Sequence, residues 1–253
     1  DTGRAVEPDE AYVAQDGDGD TEIYVREGGV VRKITDNLFD DDAPVFDQRT
    51  GRIVWHANTK GRYQIFMYDP QRGVVQLTNE SYNSQSPSVD GDTVVWQAWT
   101  DENWEVYRGD LSGGASAPTV TRLSQTGGHD MFPKVYGTFV TWQAREGDQW
   151  RSKGMNLATG EFSDLGEGTG GDVQSTRLVL LVERRNDAGD VERVGYDIDT
   201  GDAISLGSRS EAPLEPETLP SPYEDPSALP PVQSATSSAP RDDTTPADPD
   251  VAA

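Results

Sequence analysis

The chain has 253 residues, no Cys, and 45 Asp and Glu against 21 Lys and Arg, for a formal net charge of −24. That charge repels nucleic-acid phosphates and anionic membrane surfaces, so neither is expected as a partner. The lack of Cys excludes disulfides and thiolate chemistry, and no apolar run approaches the roughly 18 residues of a spanning helix.

The length fits one large domain or two small ones. The chain begins at Asp1 without Met, as a secreted protein does after its leader is removed; a trimmed chain looks the same. Asp outnumbers Glu 29 to 16 and there are four Lys. Such a surface is typical of halophilic proteins, where salt screens self-repulsion. An ordinary acidic exported protein is the alternative.

The organising pattern is an apolar strand followed by a polar hairpin loop. It appears as Ala11-Tyr12-Val13-Ala14, Ile53-Val54-Trp55-His56-Ala57, Val94-Val95-Trp96-Gln97-Ala98, Val140-Thr141-Trp142-Gln143-Ala144, and the run from Leu178 to Val182. Aligned on Val13, Trp55, Trp96, Trp142 and Leu181, the steps are 42, 41, 46 and 39 residues. A period near 40 with several short strands is the signature of propeller blades.

Each unit predicts four strands. The first is short and often follows Pro: Arg4-Ala5-Val6, Pro44-Val45-Phe46, Pro87-Ser88-Val89, Pro133-Lys134-Val135 and Asp172-Val173-Gln174. Pro has no N–H and suits a strand start. A third strand follows the hairpin, as in Glu105-Val106-Tyr107. Next comes an Asp- or Asn-led turn closed by Gly, such as Asp69 to Gly73. There the side chain bonds its own backbone and Gly supplies positive φ. A fourth, amphipathic strand ends near Leu or Ile. The expected fold is an all-β propeller of about five four-stranded blades, in units near 4–36, 44–79, 87–125, 133–166 and 172–207.

The motifs Asp41-Asp42-Ala43-Pro44, Val89-Asp90-Gly91-Asp92, Asp101-Glu102-Asn103, Glu105-Val106-Tyr107 and Gln76-Leu77-Thr78 resemble the TolB-type β-propeller repeat over residues 4–207. The resemblance implies the fold and supplies no function, since propellers host many. Five units depart from the six of the TolB-type propeller itself.

Residues 208–253 differ in composition. They hold ten of the 16 Pro, nine acids and two Arg, with no Trp. Such a segment cannot fold alone and is expected as an extended, polyproline-like tail. Its apolar anchors for a partner would be Leu214, Leu219, Tyr223, Leu229 and Val232. An extended segment can add to a sheet edge or lie in a groove. Ser234, Thr236, Ser237, Ser238, Thr244 and Thr245, interleaved with Pro, are candidate O-glycosylation positions.

Within the repeats, Asp16, Asp18, Asp20 and Glu22 lie along a Gly-permitted hairpin and form a candidate calcium loop, the one cofactor considered. The alternative is an acidic hairpin needing no metal. Trp55, Trp96 and Trp142 share a repeat position and are expected between blades. Trp99, Asp101, Glu102, Trp104 and Trp150 lie at or beside hairpin loops and are candidate partner contacts. His129 and Asp130 are adjacent, but Asp41 and Ser84 also stand three residues before a Pro, which favours a repeated structural bond. Asp47, Asp90 and Asp172 lie on or near first strands, where opposed carboxylates could serve glycoside hydrolysis.

The leading expectation is a non-enzymatic, extracellular or cell-surface interaction propeller (periplasmic in a Gram-negative source) that self-associates through its tail into a filament or array. The alternative is a secreted propeller binding sugar, peptide or calcium at its acidic loop face; the third is a glycosidase-like enzyme.

Overall fold

The computed structural model describes residues 9–167 except 18, 101 and 114–117, and then 174–176, 179–185, 188, 190–197 and 203–209. All the regular structure in these residues is antiparallel β. The first sheet has three strands, β1 (Glu10–Gln15), β2 (Thr21–Glu27) and β3 (Val30–Lys33). The second comprises β4 (Asp41–Asp47), β5 (Arg52–Thr59), β6 (Arg62–Asp69) and β7 (Gly73–Gln76). The third comprises β8 (Ser84–Asp90), β9 (Thr93–Thr100), β10 (Asn103–Asp110) and β11 (Thr119–Arg122). The fourth comprises β12 (Asp130–Tyr136), β13 (Phe139–Glu146), β14 (Gln149–Asn156) and β15 (Phe162–Glu167). The fifth comprises β16 (Gln174–Thr176), β17 (Val179–Arg185), β18 (Val191–Asp197) and β19 (Ala203–Arg209). Strands in each sheet are joined in sequence order, and each sheet packs on the next. The strand expected at residues 4–6 lies outside the described residues.

In the second, third and fourth sheets the first strand starts three residues before its Pro, earlier than the sequence reading placed it. Pairing shifts between Asp42 and Val45, Gln85 and Ser88, and Met131 and Lys134. The residue before each Pro is left-handed: Ala43 at φ 52°, Ser86 at 51° and Phe132 at 55°. A β-bulge accounts for both facts. The extra residue takes a conformation that ordinary strand pairing forbids, and Pro, lacking a donor, occupies the unpaired position.

Strand register corrects the alignment at both ends. Trp55 pairs with Phe66 and Trp96 with Tyr107. The matching pairs are Tyr12 with Tyr24 and Val182 with Val194, so Tyr12 and Val182 hold the Trp position, not Val13 and Leu181. Ring geometry supports the first of these. Tyr12–Tyr24, Trp55–Phe66 and Trp96–Tyr107 all stack, with centroids 5.8, 5.9 and 6.2 Å apart and planes within 20°. The fourth sheet has Lys153 opposite Trp142, and there Phe162 of β15 tilts against the indole at 5.8 Å.

Alternation along each strand divides the core. Val54 packs with Val89, Val94 and Trp96 between the second and third sheets, while Ile53 and Trp55 pack with Ile23 and Val25 between the first and second. Val95 and Val106 meet Val140 and Trp142 between the third and fourth. Trp55, Trp96 and Trp142 are 1–2% exposed, as the repeat position predicts.

Polar groups close the remaining valences in the same repeated way. Thr35, Thr78 and Ser124, each just after a fourth strand, accept the backbone N–H of Ile23, Ile65 and Val106 at 2.8 Å. That is the physical content of a strand ending in Leu-Thr: the hydroxyl satisfies a donor that no further strand reaches. Between sheets, Asp47 accepts the N–H of Gly91 at 2.9 Å and Asp90 that of Gly137 at 2.6 Å. These two carboxylates therefore serve the neighbouring turn. Asp172 lies outside the described residues.

Candidate functional site

The hairpin ends of the sheets and the connections from one sheet to the next lie together. On the third and fourth sheets they form a cleft of about 460 Å³ lined by Thr126–His129 and Arg145–Gly147. Its floor is set by close backbone approach. The Arg145 N–H donates to the His129 carbonyl at 2.7 Å, and a Cβ on Gly128 would fall 1.9 Å from the Arg145 oxygen. Glycine is thus required at 128 for want of space. Sequence reading missed Arg145 and the Gly127-Gly128 pair as cleft residues, although the Gly pair was a usable signal.

Trp99, Trp104 and His129 make one aromatic group beside this cleft. Trp99 stacks on His129 at 5.7 Å and meets Trp104 edge-on at 5.5 Å. Trp104 is fully buried, which corrects its expected role as an exposed contact, and its indole N–H has no partner among the described residues. Trp99 and Trp150 are half-buried and Glu102 is exposed at φ 74°. Asp101 lies outside the described residues. Trp99 and Glu102 are therefore what this loop presents.

The chemistry of His129 is structural. Its Nδ1 accepts the Trp104 backbone N–H at 3.2 Å. Burial, reinforced by the Arg145 charge, pushes its pKa down, so it is neutral at pH 7 and can accept that bond. Asp130 faces elsewhere, accepting the Trp142 indole N–H at 2.9 Å and the Thr126 hydroxyl at 2.8 Å. Asp41 holds the Trp55 indole in the same way at 2.7 Å. Burial raises both carboxyls, Asp41 to about 6, against the hydrogen bonds that pull them back.

The candidate calcium loop is rearranged. Carboxylate oxygens of Asp16, Glu22 and Asp36 lie within 4.8 Å of one another. The Lys33 ammonium sits among them, bonded to Asp16 and Asp36 and 3.7 Å from Glu22. Asp16 and Asp36 raise the Lys33 pKa, so the ammonium stays charged. Glu22 also accepts the Asn37 backbone N–H at 2.7 Å, and its repeat partner Gln64 accepts that of Glu80 at 3.0 Å. Glu22 is thus a latch on the connection between sheets. Asp20 stands outside the triad and Asp18 outside the described residues. A Lys charge fills the place where a cation would go.

Leu214, Leu219, Tyr223, Leu229 and Val232, together with Ser234, Thr236, Ser237, Ser238, Thr244 and Thr245, all lie outside the described residues.

No family model matches the sequence, and no curated protein matches it. Solved structures do. TolB from Acinetobacter baumannii superposes with a TM-score of 0.53 at 19% identity, over 80% of this chain and 52% of that one. A putative TolB from Agrobacterium tumefaciens gives 0.52 at 14% identity, over 78% and 80%. A puromycin-hydrolyzing peptidase from Mycobacterium tuberculosis gives 0.55 at 14%, over 83% of this chain and 37% of that one. The chain thus spans about half the length of the first of these, and the likeness is one of fold. With five successive antiparallel sheets, shared bulges and these neighbours, the chain has a TolB-like β-propeller fold.

Proposed function

We propose that the chain is a non-enzymatic interaction propeller, exported from the cytoplasm, that associates with further copies of itself through residues 208–253. The observation that carries the non-enzymatic part is the use made of the reactive side chains. Asp41 and Asp130 each hold an indole, Asp47 and Asp90 each hold a neighbouring turn, and His129 accepts a backbone N–H. These are scaffold roles repeated from sheet to sheet, and each group would have to give up a structural hydrogen bond to act otherwise. The peptidase among the fold neighbours brings no reaction with it at this identity.

Self-association is supported by the composition of the tail, whose scattered Leu, Tyr and Val among Pro suit binding in extended form. Sedimentation of the full chain against one ending at Ser210, which keeps β19 whole, tests it. The full chain is expected to form larger species whose size rises with concentration. Equal sizes for both chains would overturn it.

A second reading has one observation of its own, the cleft beside Trp99 and His129. An aromatic plane next to a polar cleft fits a sugar or a short peptide. Titration with oligosaccharides and peptides, monitored by Trp fluorescence of the native chain and of Trp99→Ala, separates this from the first reading.

A further inference from the structure

We propose that the groove beside the β5–β6 hairpin is a separate docking site, and that it takes an acidic peptide segment of a partner protein carrying an apolar side chain. It is distinct from the cleft beside Trp99 and does not depend on residues 208–253.

Three observations converge on it. First, the groove holds cations that the rest of the molecule leaves alone. It has a volume of about 400 Å³, and Lys60, Arg62, Phe39, Phe66 and Asn79 are among its walls. Elsewhere cations are drawn to carboxylates, as Arg26, Arg52, Arg122 and Arg151 are. Lys60 and Arg62 have neither an ion pair nor a side-chain hydrogen bond among the described residues. In a chain with 45 acids against 21 bases, two neighbouring cations without a carboxylate stand out as a place for an incoming anion.

Second, the sister hairpins are not basic. Register sets Arg62 in the place of Asn103 and Gln149, and the tips of those hairpins read Asp101-Glu102 and Gly147-Asp148. The turn itself does not ask for Lys. Lys60 sits at φ 56°, a left-handed position where Asn or Gly is ordinary. The basic pair is therefore particular to this sheet and not part of the blade.

Third, the adjoining connection departs from its sisters as well. Five residues separate Thr35 from Asp41, Thr78 from Ser84 and Ser124 from Asp130, so Leu38 stands where Ser81 and Gly127 do. Leu38 is 90% exposed. Its neighbour Phe39 tilts against Phe66 in the groove, with ring centroids 5.9 Å apart.

An exposed apolar anchor beside two free cations complements a segment in which a carboxylate stands near an aliphatic side chain. A sugar acid fits less well, because sugars stack on open aromatic faces and Phe66 is 8% exposed. Glu80 also lines the groove, so Lys60 and Arg62, and not the groove as a whole, fix where the ligand's carboxylate sits.

Fluorescence anisotropy of the full chain with a short labelled peptide alternating glutamate and leucine tests this. Saturable binding is expected, weakened about tenfold or more by Lys60→Glu with Arg62→Glu. Leu38→Ala should weaken it about threefold or more and leave Tm unchanged, because the side chain is exposed. The same charge change made distantly, as Arg72→Glu with Lys134→Glu, should keep affinity within about twofold at physiological salt. Equal weakening by the two charge reversals would reduce the effect to net charge and overturn the site. Equal affinity for a peptide with glutamine in place of glutamate would overturn it too, as would no binding by the parent. An unchanged affinity in Leu38→Ala would overturn the apolar anchor. Binding of oligogalacturonate without binding of the peptide would overturn the peptide in favour of an acidic polysaccharide. Sedimentation reads self-association separately, so the failure of either proposal leaves the other standing.

Discussion

The second and third sheets carry the same Trp on the same strand, yet they treat the polar group facing it differently. In the second, Asp41 starts the inner strand and its carboxylate takes the Trp55 indole N–H. In the third, Ser84 stands in that place, and its buried hydroxyl has no partner among the described residues. Trp96 is nevertheless buried to 2% and stacked on Tyr107 as Trp55 is on Phe66. Burial of the Trp is therefore what all three Trp-bearing blades share, while the stack (absent from the fourth sheet) and the buried carboxylate (absent from the third) are additions. The carboxylate costs desolvation and then becomes necessary, because removing it strands an indole donor.

That comparison can be broken by substitution. Trp55→Ala should cost about 3–5 kcal/mol, since it empties the core between two sheets, and Trp96→Ala about the same. Equal losses in chemical denaturation would place burial above the carboxylate in importance. Asp130→Ala should cost about 1–3 kcal/mol through the unpaired Trp142 indole, whereas Ser84→Ala should lie within about 0.5 kcal/mol of the parent. A Ser84→Ala loss as large as the Asp130→Ala loss would refute the distinction.

The pH dependence sharpens it further. Asp41 has its folded carboxyl raised to about 6, above an unfolded value near 3.8. The folded state therefore binds this proton more tightly. The stability it gives is complete below pH 4 or so and is lost as pH rises through about 6. Asp41→Asn should flatten the fall in Tm over that interval, while Ser84→Asn should leave the slope unchanged. The smallest effect is expected at Lys33. Lys33→Gln should cost little stability, since Lys33 and Asp36 reach solvent and Glu22 keeps its bond from the Asn37 backbone. It should let Asp16, Glu22 and Asp36 bind calcium weakly in a titration where the parent shows no heat.

Much of this architecture was legible because a repeat writes each device several times. The Trp strand and the Leu-Thr ending each recur with one physical job, and the Asp before Pro holds an indole wherever it stands, a job Ser84 does not take over. Where the text was written once, reading was poorer. Tyr12 was misaligned by a residue because the first unit lacks both the Trp and the Pro that fix phase, and only cross-strand pairing with Tyr24 recovers it. Trp104 looked like a loop residue by position, but the tight turn at Glu102 brings it back under Trp99 and His129. The acidic hairpin looked like a cation site because Lys33 lies 17 residues from Asp16 in sequence and reaches it only through the sheet.

The bonds from Asp47 to Gly91 and from Asp90 to Gly137 join a carboxylate to a neutral N–H, not one charge to another. Added salt screens attraction and repulsion between full charges, and a chain of net charge −24 has far more repulsion to lose. These two bonds are thus largely indifferent to ionic strength, whereas the Arg49–Asp90 and Arg52–Asp92 ion pairs between the second and third sheets weaken as it rises, along with the mutual repulsion of the acidic surface. What salt does to the joints between blades is therefore set by the balance of those ion pairs against the surface repulsion, with the carboxylate-to-amide bonds as the constant part.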